Sequence, residues 1–155
     1  MAVVATPRIF DKKFAFKVEI DGFGSAGFRK VSGLEAEVAE IKQYEGGALI
    51  PNKSFGRVDY KDITLERGAT RADYDMWLWF LQVINAGANT GLSEQLVKRH
   101  LDIVQLGRDG IPLKRWSVFN AFPKSFTAGD WDNDADENVI EKLVIGLDFW
   151  TPTPL

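Results

Sequence analysis

The sequence predicts a mainly β domain with one helix, and three observations support this prediction. Several segments alternate apolar and polar residues with a period of two, as half-buried strands do. A single segment, at about 71–86, has the length and the flanking residues of a helix. Aromatic residues make up 12% of the chain and glycines number 14, which suits a β-rich core with many turns. The aromatic residues would equally suit subunit interfaces.

Four extended segments are predicted in the first half of the chain, at residues 14–20, 28–31, 35–44 and 58–66. The first of them, FAFKVEI, alternates strictly and ends at an Asp-Gly turn, as a half-buried strand does. The third alternates with a slip of phase between Val38 and Ile41, which is the pattern that a β-bulge produces. These segments therefore supply the first half of a β-rich core.

A long loop is predicted between the third and fourth strands, from Glu45 to Arg57. A hairpin between neighbouring strands needs only two to five residues, and longer loops in compact domains usually serve a function. This loop carries an apolar pair, Leu49 and Ile50, that has little core to pack against within one subunit. We therefore expect it to contact another molecule.

The predicted helix has Thr70 as its N-cap, Asp73 as the partner in a capping box, and Gly87 at its end. One face carries apolar residues that we expect to pack on the core: Tyr74, Trp77, Leu78, Leu81 and Ile84. The opposite face is also apolar and carries Met76, Trp79, Phe80 and Val83. A helix that is apolar all round is normally buried all round. The second face is therefore predicted to contact another subunit.

The second half of the chain returns to strands. Residues 101–106 and 113–122 flank a Gly-Arg-Asp-Gly turn, residues 124–128 continue extended, and 139–150 are predicted as one long final strand. This last strand is apolar on both faces over 143–147, which indicates that it is covered on both sides. No repeat or linker divides the sequence. The prediction is a single domain over 1–155, with an N-terminal extension (1–13) and a C-terminal tail (151–155).

Composition excludes several classes of function. The 155 residues carry 19 Lys and Arg against 22 Asp and Glu, and the net charge of −3 argues against a dedicated nucleic-acid binder. The chain has no Cys and one His, which excludes thiolate catalysis and most metal sites. The N-terminus lacks the apolar run of a signal peptide, and no stretch is apolar enough to span a membrane. We expect a protein made in the cytoplasm.

The acidic turn at 130–138 is the nearest approach to a metal site. Its carboxylates match positions 1, 3, 5 and 12 of a calcium loop: Asp130, Asp132, Asp134 and Glu141. However, Ala135 stands where the sharp turn needs glycine, and Glu141 falls in a predicted strand. A solvated turn without a metal is the prediction, and weak cation binding stays open.

No other motif predicts catalysis or cofactor binding. His100 has no Ser or Asp motif beside it and is interpreted as structural. The Gly-rich segments 22–28 and 45–50 lack the strand–helix context of a phosphate-binding loop. The carboxylates form no recognisable glycosidase pair, and most aromatic residues occupy core-like positions instead of forming a sugar-binding platform. We predict no catalytic, cofactor-binding or metal residues.

The order of several short motifs resembles the tail-tube protein family of contractile phage tails and related extracellular injection particles. The resemblance extends from about Phe14 to Phe149. Its motifs, in order, are Val31–Glu35 (VSGLE), Gly46-Gly47, Ile63–Gly68 (ITLERG), the Trp-rich helix, Asn120–Pro123 (NAFP) and Asp134–Asn138 followed by Glu141.

The resemblance implies two packed antiparallel sheets that form a small β-barrel or sandwich with a flanking helix. It further implies hexameric rings that stack into a hollow tube inside a contractile sheath, through which DNA or a protein effector passes. Partners would then be copies of the same chain, the sheath, the baseplate and spike, a tube initiator, a tail terminator and the cargo, without membrane insertion by the subunit. Residues of the predicted loop would form the ring-to-ring contact: Glu45, Gly46, Gly47, Leu49, Ile50, Lys53 and Arg57. The alternative is a monomeric β-sandwich that binds a ligand such as carbohydrate, or a hydrolase.

Overall fold

The computed structural model describes residues 15–22, 24–69, 74–88 and 97–154. The elements are, in chain order, β1 (Phe16–Ile20), β2 (Gly24–Ala26), β3 (Lys30–Ser32), β4 (Ala36–Gln43), β5 (Asn52–Tyr60), β6 (Ile63–Gly68), α1 (Asp75–Gly87), β7 (Arg99–Leu106), β8 (Pro112–Thr127), β9 (Ile140–Gly146) and β10 (Phe149–Thr153). The predicted extension at 1–13 lies outside the described residues. So do Thr70 and Asp73 of the predicted capping box.

Eight antiparallel strands form the main sheet, in the order β2-β1-β7-β8-β9-β6-β3, with β10 paired to β8. The long strand β8 belongs to two layers, since it pairs with β7 and β10 up to Ala121 and with β9 from Phe122 onward. Asn120 lies at this transition with φ of 55°, a left-handed conformation that asparagine tolerates better than most residues. The prediction of a mainly β fold with two antiparallel sheets and a flanking helix is confirmed. Within the described part of the chain the barrel does not close, because the end strands β2 and β3 do not pair with each other.

The core lies between these layers and includes one face of α1. Its fully buried apolar side chains come from β1, β6, α1, β7, β8 and β9, and include Val18, Ile63, Leu65, Trp79, Leu101, Val118, Leu143 and Ile145. The alternation predicted for the first strand places Val18 and Ile20 in this core. The apolar alternation in the sequence therefore predicts strands that have one buried face.

A bulge lies beside the phase slip predicted in the third strand, but it lies on the opposite strand. The register of β4 against β5 shifts between Val38 and Glu40, where two steps along β4 oppose three steps along β5, from Val58 to Phe55. The extra residue of the bulge therefore belongs to β5. Because β4 is exposed along its whole length, its phase slip does not mark a change of buried face.

Three boundary predictions are wrong. The predicted loop 45–57 is in fact a shorter tip, residues 44–51, because β5 already begins at Asn52. The predicted strand 58–66 is divided between β5 and β6 at residues 61–62. The predicted final strand 139–150 is divided between β9 and β10 at residues 147–148, and β10 includes 151–153 of the predicted tail.

The errors at β5 and at β10 have physical causes. Strand β5 is exposed along nearly its whole length, so its sequence has no apolar alternation to reveal it. The break before β10 is stabilised by tertiary hydrogen bonds: the Asp148 N–H donates to the Phe119 carbonyl (3.2 Å), and the Asn120 side-chain amide donates to the Asp148 carboxylate (2.7 Å). These bonds direct β10 back onto β8.

The Val-Ser-Gly-Leu-Glu motif forms a tight crossing between β3 and β4. Gly33 has φ of 96°, and a Cβ atom there would collide with the carbonyl oxygen of Asp62. Only glycine combines this φ with so close an approach of another backbone. The motif thus fixes where the β4–β5 hairpin leaves the main sheet.

Candidate assembly surfaces

The β4–β5 hairpin forms a two-stranded sheet of its own, separate from the main sheet. All of β4 is exposed, and so is nearly all of β5. Seven large apolar side chains on the hairpin and its tip are open to solvent: Val38, Ile41, Tyr44, Leu49, Ile50, Phe55 and Val58. A two-stranded hairpin without a packed face is marginally stable in water. The hairpin therefore has the surface of an element that packs against another molecule.

The residues proposed for the inter-ring contact divide between the tip and β5. Glu45, Gly46, Gly47, Leu49 and Ile50 lie in the tip, whereas Lys53 and Arg57 lie in the strand. Leu49 is 98% exposed and Ile50 is 81% exposed. The Glu45 carboxylate accepts a hydrogen bond from the Asn52 side chain (3.3 Å), and its carbonyl accepts one from the Ala48 N–H (3.0 Å). The tip is therefore an ordered turn that presents two apolar side chains.

The pairing register places most of the apolar residues at the base of the hairpin on one face. Ala36 and Val38 of β4 share this face with Glu40, and their partners on β5 are Tyr60, Val58 and Phe55. At the base of the hairpin, the Tyr60 ring meets the Trp150 ring edge-on at a centroid distance of 5.6 Å. This contact joins the hairpin base to β10.

The helix buries the face opposite to the predicted one. The sequence predicts that Met76 and Trp79 contact another subunit, but their side chains are 2% and 0% exposed within this subunit. Phe80 and Val83 from the same set are half-buried. Most side chains predicted for the core face are instead exposed, namely Tyr74, Trp77, Leu78 and Ile84, while Leu81 is half-buried. The assignment of Met76 and Trp79 to a subunit contact is therefore wrong.

Two tertiary contacts determine which helix face is buried. The Trp79 indole N–H donates to the carbonyl of Val97 (2.9 Å), so this fully buried aromatic residue also satisfies its polar atom. Asp75, in the first turn, receives hydrogen bonds from the guanidinium of Arg67 on β6. Neither contact is visible in the apolar period of the helix, because both of its faces are apolar.

An exposed apolar stripe remains on α1. It consists of Tyr74, Trp77, Leu78 and Ile84, which are between 41% and 64% exposed. Trp77 also packs beside Phe126 of β8 (centroid distance 5.8 Å), so the stripe continues onto the main sheet. Contiguous apolar surface of this kind marks an interaction site.

Arg67 is a buried cation at the junction of β6, β9 and α1. Its side chain is 5% exposed and bonds to the carboxylates of Asp75 and Glu141, the latter at 3.1 Å. Burial alone would raise the pKa of Asp75, but the hydrogen bonds and charge of Arg67 hold that pKa below its usual value. The sequence indicates Arg67 only as part of the ITLERG motif, because a buried arginine leaves no periodic pattern.

A chain of ion pairs crosses the outer face of the β1–β7–β8 layer. Arg115 contacts Asp102 (2.7 Å) and Glu19 (3.4 Å), and Asp102 also meets the His100 ring (2.8 Å). Burial would raise the pKa of Asp102, but hydrogen bonds with Arg115 and Ser117, together with His100, hold it below its usual value. His100 also packs edge-on against Phe119 at a centroid distance of 5.0 Å. His100 thus has a carboxylate partner, Asp102, that no sequence motif predicted, and the interpretation of His100 as structural stays a prediction.

The acidic turn lacks the arrangement of a calcium loop. The Asp132 carboxylate accepts the N–H of Asp134 (3.0 Å), which is the bond of an Asx-turn. Glu141, the residue at the twelfth position, is bound to Arg67. Within the described ranges, no three His, Cys, Asp or Glu residues are placed to hold a metal ion. In the same ranges, no helix is both long and apolar enough to cross a membrane.

Comparison with known proteins identifies the family to which the sequence is similar. Residues 12–151 match the family model of T4-like virus tail tube protein gp19. No curated protein matches the chain.

Solved structures share the fold across almost the whole chain. The cap that terminates the tube of the anti-feeding prophage is 23% identical, with a TM-score of 0.83 over 99% of this chain and 97% of that one. The sheath–tube complex of PVC, an extracellular contractile injection system, gives 23% identity and a TM-score of 0.79 over 94% and 92%. Hcp1 from Flavobacterium johnsoniae gives 14% identity and a TM-score of 0.58 over 90% and 94%.

Proposed function

Since the chain belongs to the family of T4-like virus tail tube protein gp19, we propose that it is a structural subunit of the inner tube of a phage tail or a phage-tail-like contractile injection particle. Its role is mechanical, and we propose that it catalyses no reaction and holds no cofactor. After synthesis in the cytoplasm, the subunit becomes part of the particle.

In this proposal six subunits form a ring, and rings stack into a hollow conduit inside a contractile sheath. The tube begins on a baseplate with its spike and initiator proteins, and it ends at a terminator. Proteins similar in fold come from a sheath–tube complex, a sheath/tube terminator and a baseplate, which supports these partners. The cargo in the lumen would be DNA or a protein effector.

The observation that carries the proposal is the β4–β5 hairpin. Its two strands are solvated on both faces, and its tip exposes Leu49 and Ile50 almost completely. In a monomer the apolar side chains of this hairpin stay in water, whereas in a stack of rings they would be buried against a neighbouring subunit. We therefore propose that the tip, with Glu45, Lys53 and Arg57 nearby, forms the ring-to-ring contact.

We propose that the exposed stripe of α1 forms a second subunit contact. This contact consists of Tyr74, Trp77, Leu78 and Ile84, because Met76 and Trp79, which the sequence predicts for it, are buried within the subunit. The alternative function, a monomeric binding module or hydrolase, is disfavoured by membership in the tube protein family.

Electron microscopy of the purified protein, together with sedimentation, tests the proposal. We expect rings or hollow tubes at high protein concentration. A protein that remained a monodisperse 17.4 kDa monomer under all conditions would contradict the proposed function.

A shortened hairpin tests the stacking surface. Gln43 and Asn52 are cross-strand partners, so a two-residue Asn-Gly turn can replace residues 44–51 and keep the register. We expect the variant to fold and to form rings but no tubes. The matched control is Ile111→Ser, which removes an exposed apolar side chain (60% exposed) from a different hairpin turn and should leave tubes intact. Long tubes from the shortened variant would show that another surface stacks the rings.

A further inference from the structure

The open side of the incomplete barrel contains a groove. Strands β2 and β3 end the main sheet, and β2 pairs only with residues 18–20 of β1. The outer edge of β1 at Phe16 and the free edge of β3 therefore face each other across a seam. A cavity of about 630 Å³ lies there, lined by residues that include Phe16, Arg29, Lys30, Val31, Leu34 and Trp116.

The lining of this seam groove has an apolar floor and a cationic rim. Phe16, Val31 and Trp116 are half-buried and pack against the core cluster, whereas Arg29 and Lys30 are exposed. No carboxylate lines the groove, and neither Arg29 nor Lys30 has an ion pair within the described parts of the chain. The groove therefore fits an apolar segment that carries a negative charge.

The hairpin tip has this chemistry. Leu49 and Ile50 are the most exposed large aliphatic side chains of the described residues, at 98% and 81%. Glu45 is the single charged residue of the tip at 44–51. The nearest charges on the strands are Lys42 and Lys53, and Lys53 is paired with Glu40 (3.3 Å). The tip itself thus offers two aliphatic side chains and one carboxylate, opposite in charge to the rim of the groove.

The tip of a subunit cannot reach the groove of the same subunit. Leu34, which lines the groove, lies two residues before the first residue of β4. The hairpin therefore starts beside the groove, and its eight-residue strand β4 carries the tip about 27 Å away. Paired strands do not fold back on themselves, so a tip that fills this groove belongs to a second copy.

We propose that the hairpin tip of one copy binds the seam groove of another copy, with Leu49 and Ile50 on the apolar floor and Glu45 facing Arg29 and Lys30. This inference rests on the proposed function and names the receptor for its stacking surface. The contact is heterologous, because the donor tip and the acceptor groove are different surfaces of one chain. A subunit that binds through its tip still has a free groove, and a subunit that binds through its groove still has a free tip. The contact therefore propagates from ring to ring.

Disulfide trapping tests the contact directly, because the chain has no native cysteine. The variant Ile50→Cys/Val31→Cys places one thiol on the tip and one in the groove. Under mild oxidation we expect a ladder of covalent oligomers on a non-reducing gel, because every disulfide joins two chains. The matched control, Ile50→Cys/Asn133→Cys, moves the second thiol to the exposed acidic turn and should stop at the dimers that Ile50→Cys alone gives. A similar ladder from both variants, or from neither, would overturn the inference.

Charge exchange gives a second readout that does not alter the apolar floor. Glu45→Lys should remove most of the sedimenting polymer, and so should Arg29→Glu/Lys30→Glu, while each subunit keeps its circular dichroism spectrum. Combining the three substitutions should restore polymer. Tubes that assemble equally well in all variants would refute the groove contact but leave the tube function standing. A wild-type protein that never assembles would refute the proposed function itself.

Discussion

Arg67 is the residue on which the junction of sheet and helix depends. Its guanidinium is nearly inaccessible and bonds to one carboxylate from α1 and one from β9. Removing one member of a buried ion pair leaves the other charges uncompensated in a medium of low dielectric constant. The position of α1, and hence of its exposed stripe, therefore depends on this cation.

We expect Arg67→Met to lower the free energy of unfolding of the subunit by about 3–5 kcal/mol. Urea denaturation followed by circular dichroism measures this loss. The matched control is Lys124→Met, which breaks an exposed pair with Asp62 (2.9 Å) and should cost about 1 kcal/mol or less. Equal effects of the two variants would show that the Arg67 cluster contributes no more than a surface pair.

Glu141 leads to a prediction about the acidic turn. Because its carboxylate is bound to Arg67, the turn lacks the bidentate ligand that a calcium loop places at its twelfth position. We expect millimolar calcium to leave the melting temperature within about one degree of its value in EDTA, since a ligand that binds only the folded state would raise it. A calcium-dependent rise of several degrees that Asp132→Asn removes would contradict this expectation.

At the scale of the element, α1 shows why an apolar period can mislead. Both faces of the helix are apolar, so neither face is marked as the buried one by its sequence. Hydrogen bonds from Trp79 to Val97 and from Arg67 to Asp75 select the face. The exposed face remains apolar and is available to another subunit.

The two helix faces should respond differently to substitution. Leu78→Glu changes a side chain that is 51% exposed, so we expect a folded subunit that no longer assembles into rings. Trp79→Ala empties a fully buried site and should cost about 3–5 kcal/mol of stability. Circular dichroism and electron microscopy separate the two outcomes. Leu113→Glu, at an exposed position on β8, is the control, and normal rings from Leu78→Glu would refute the helix contact.

At the scale of the whole molecule, the subunit leaves sheet edges and apolar surface without a partner among its described residues. Among the described residues, the outer edges of the end strands β2 and β3 have no partner strand, and the hairpin extends away from the core without a packed face. Sheet edges and apolar patches that are open to solvent promote association. In an obligate assembly these features become interfaces, which agrees with membership in the tube protein family.

The sequence by itself determined the β-rich class, the strands with one buried face and the surplus of apolar surface. The strands leave a local periodic trace, because burial on one face imposes alternation, and the surplus is visible in the apolar residues on both faces of the helix. Only the tertiary structure decided which face of α1 is buried, where β5 and β10 begin, and that the tip and the seam groove are separate surfaces. Those outcomes depend on partners distant in the chain, such as Val97 for Trp79 and Phe119 for Asp148, and no local pattern records them.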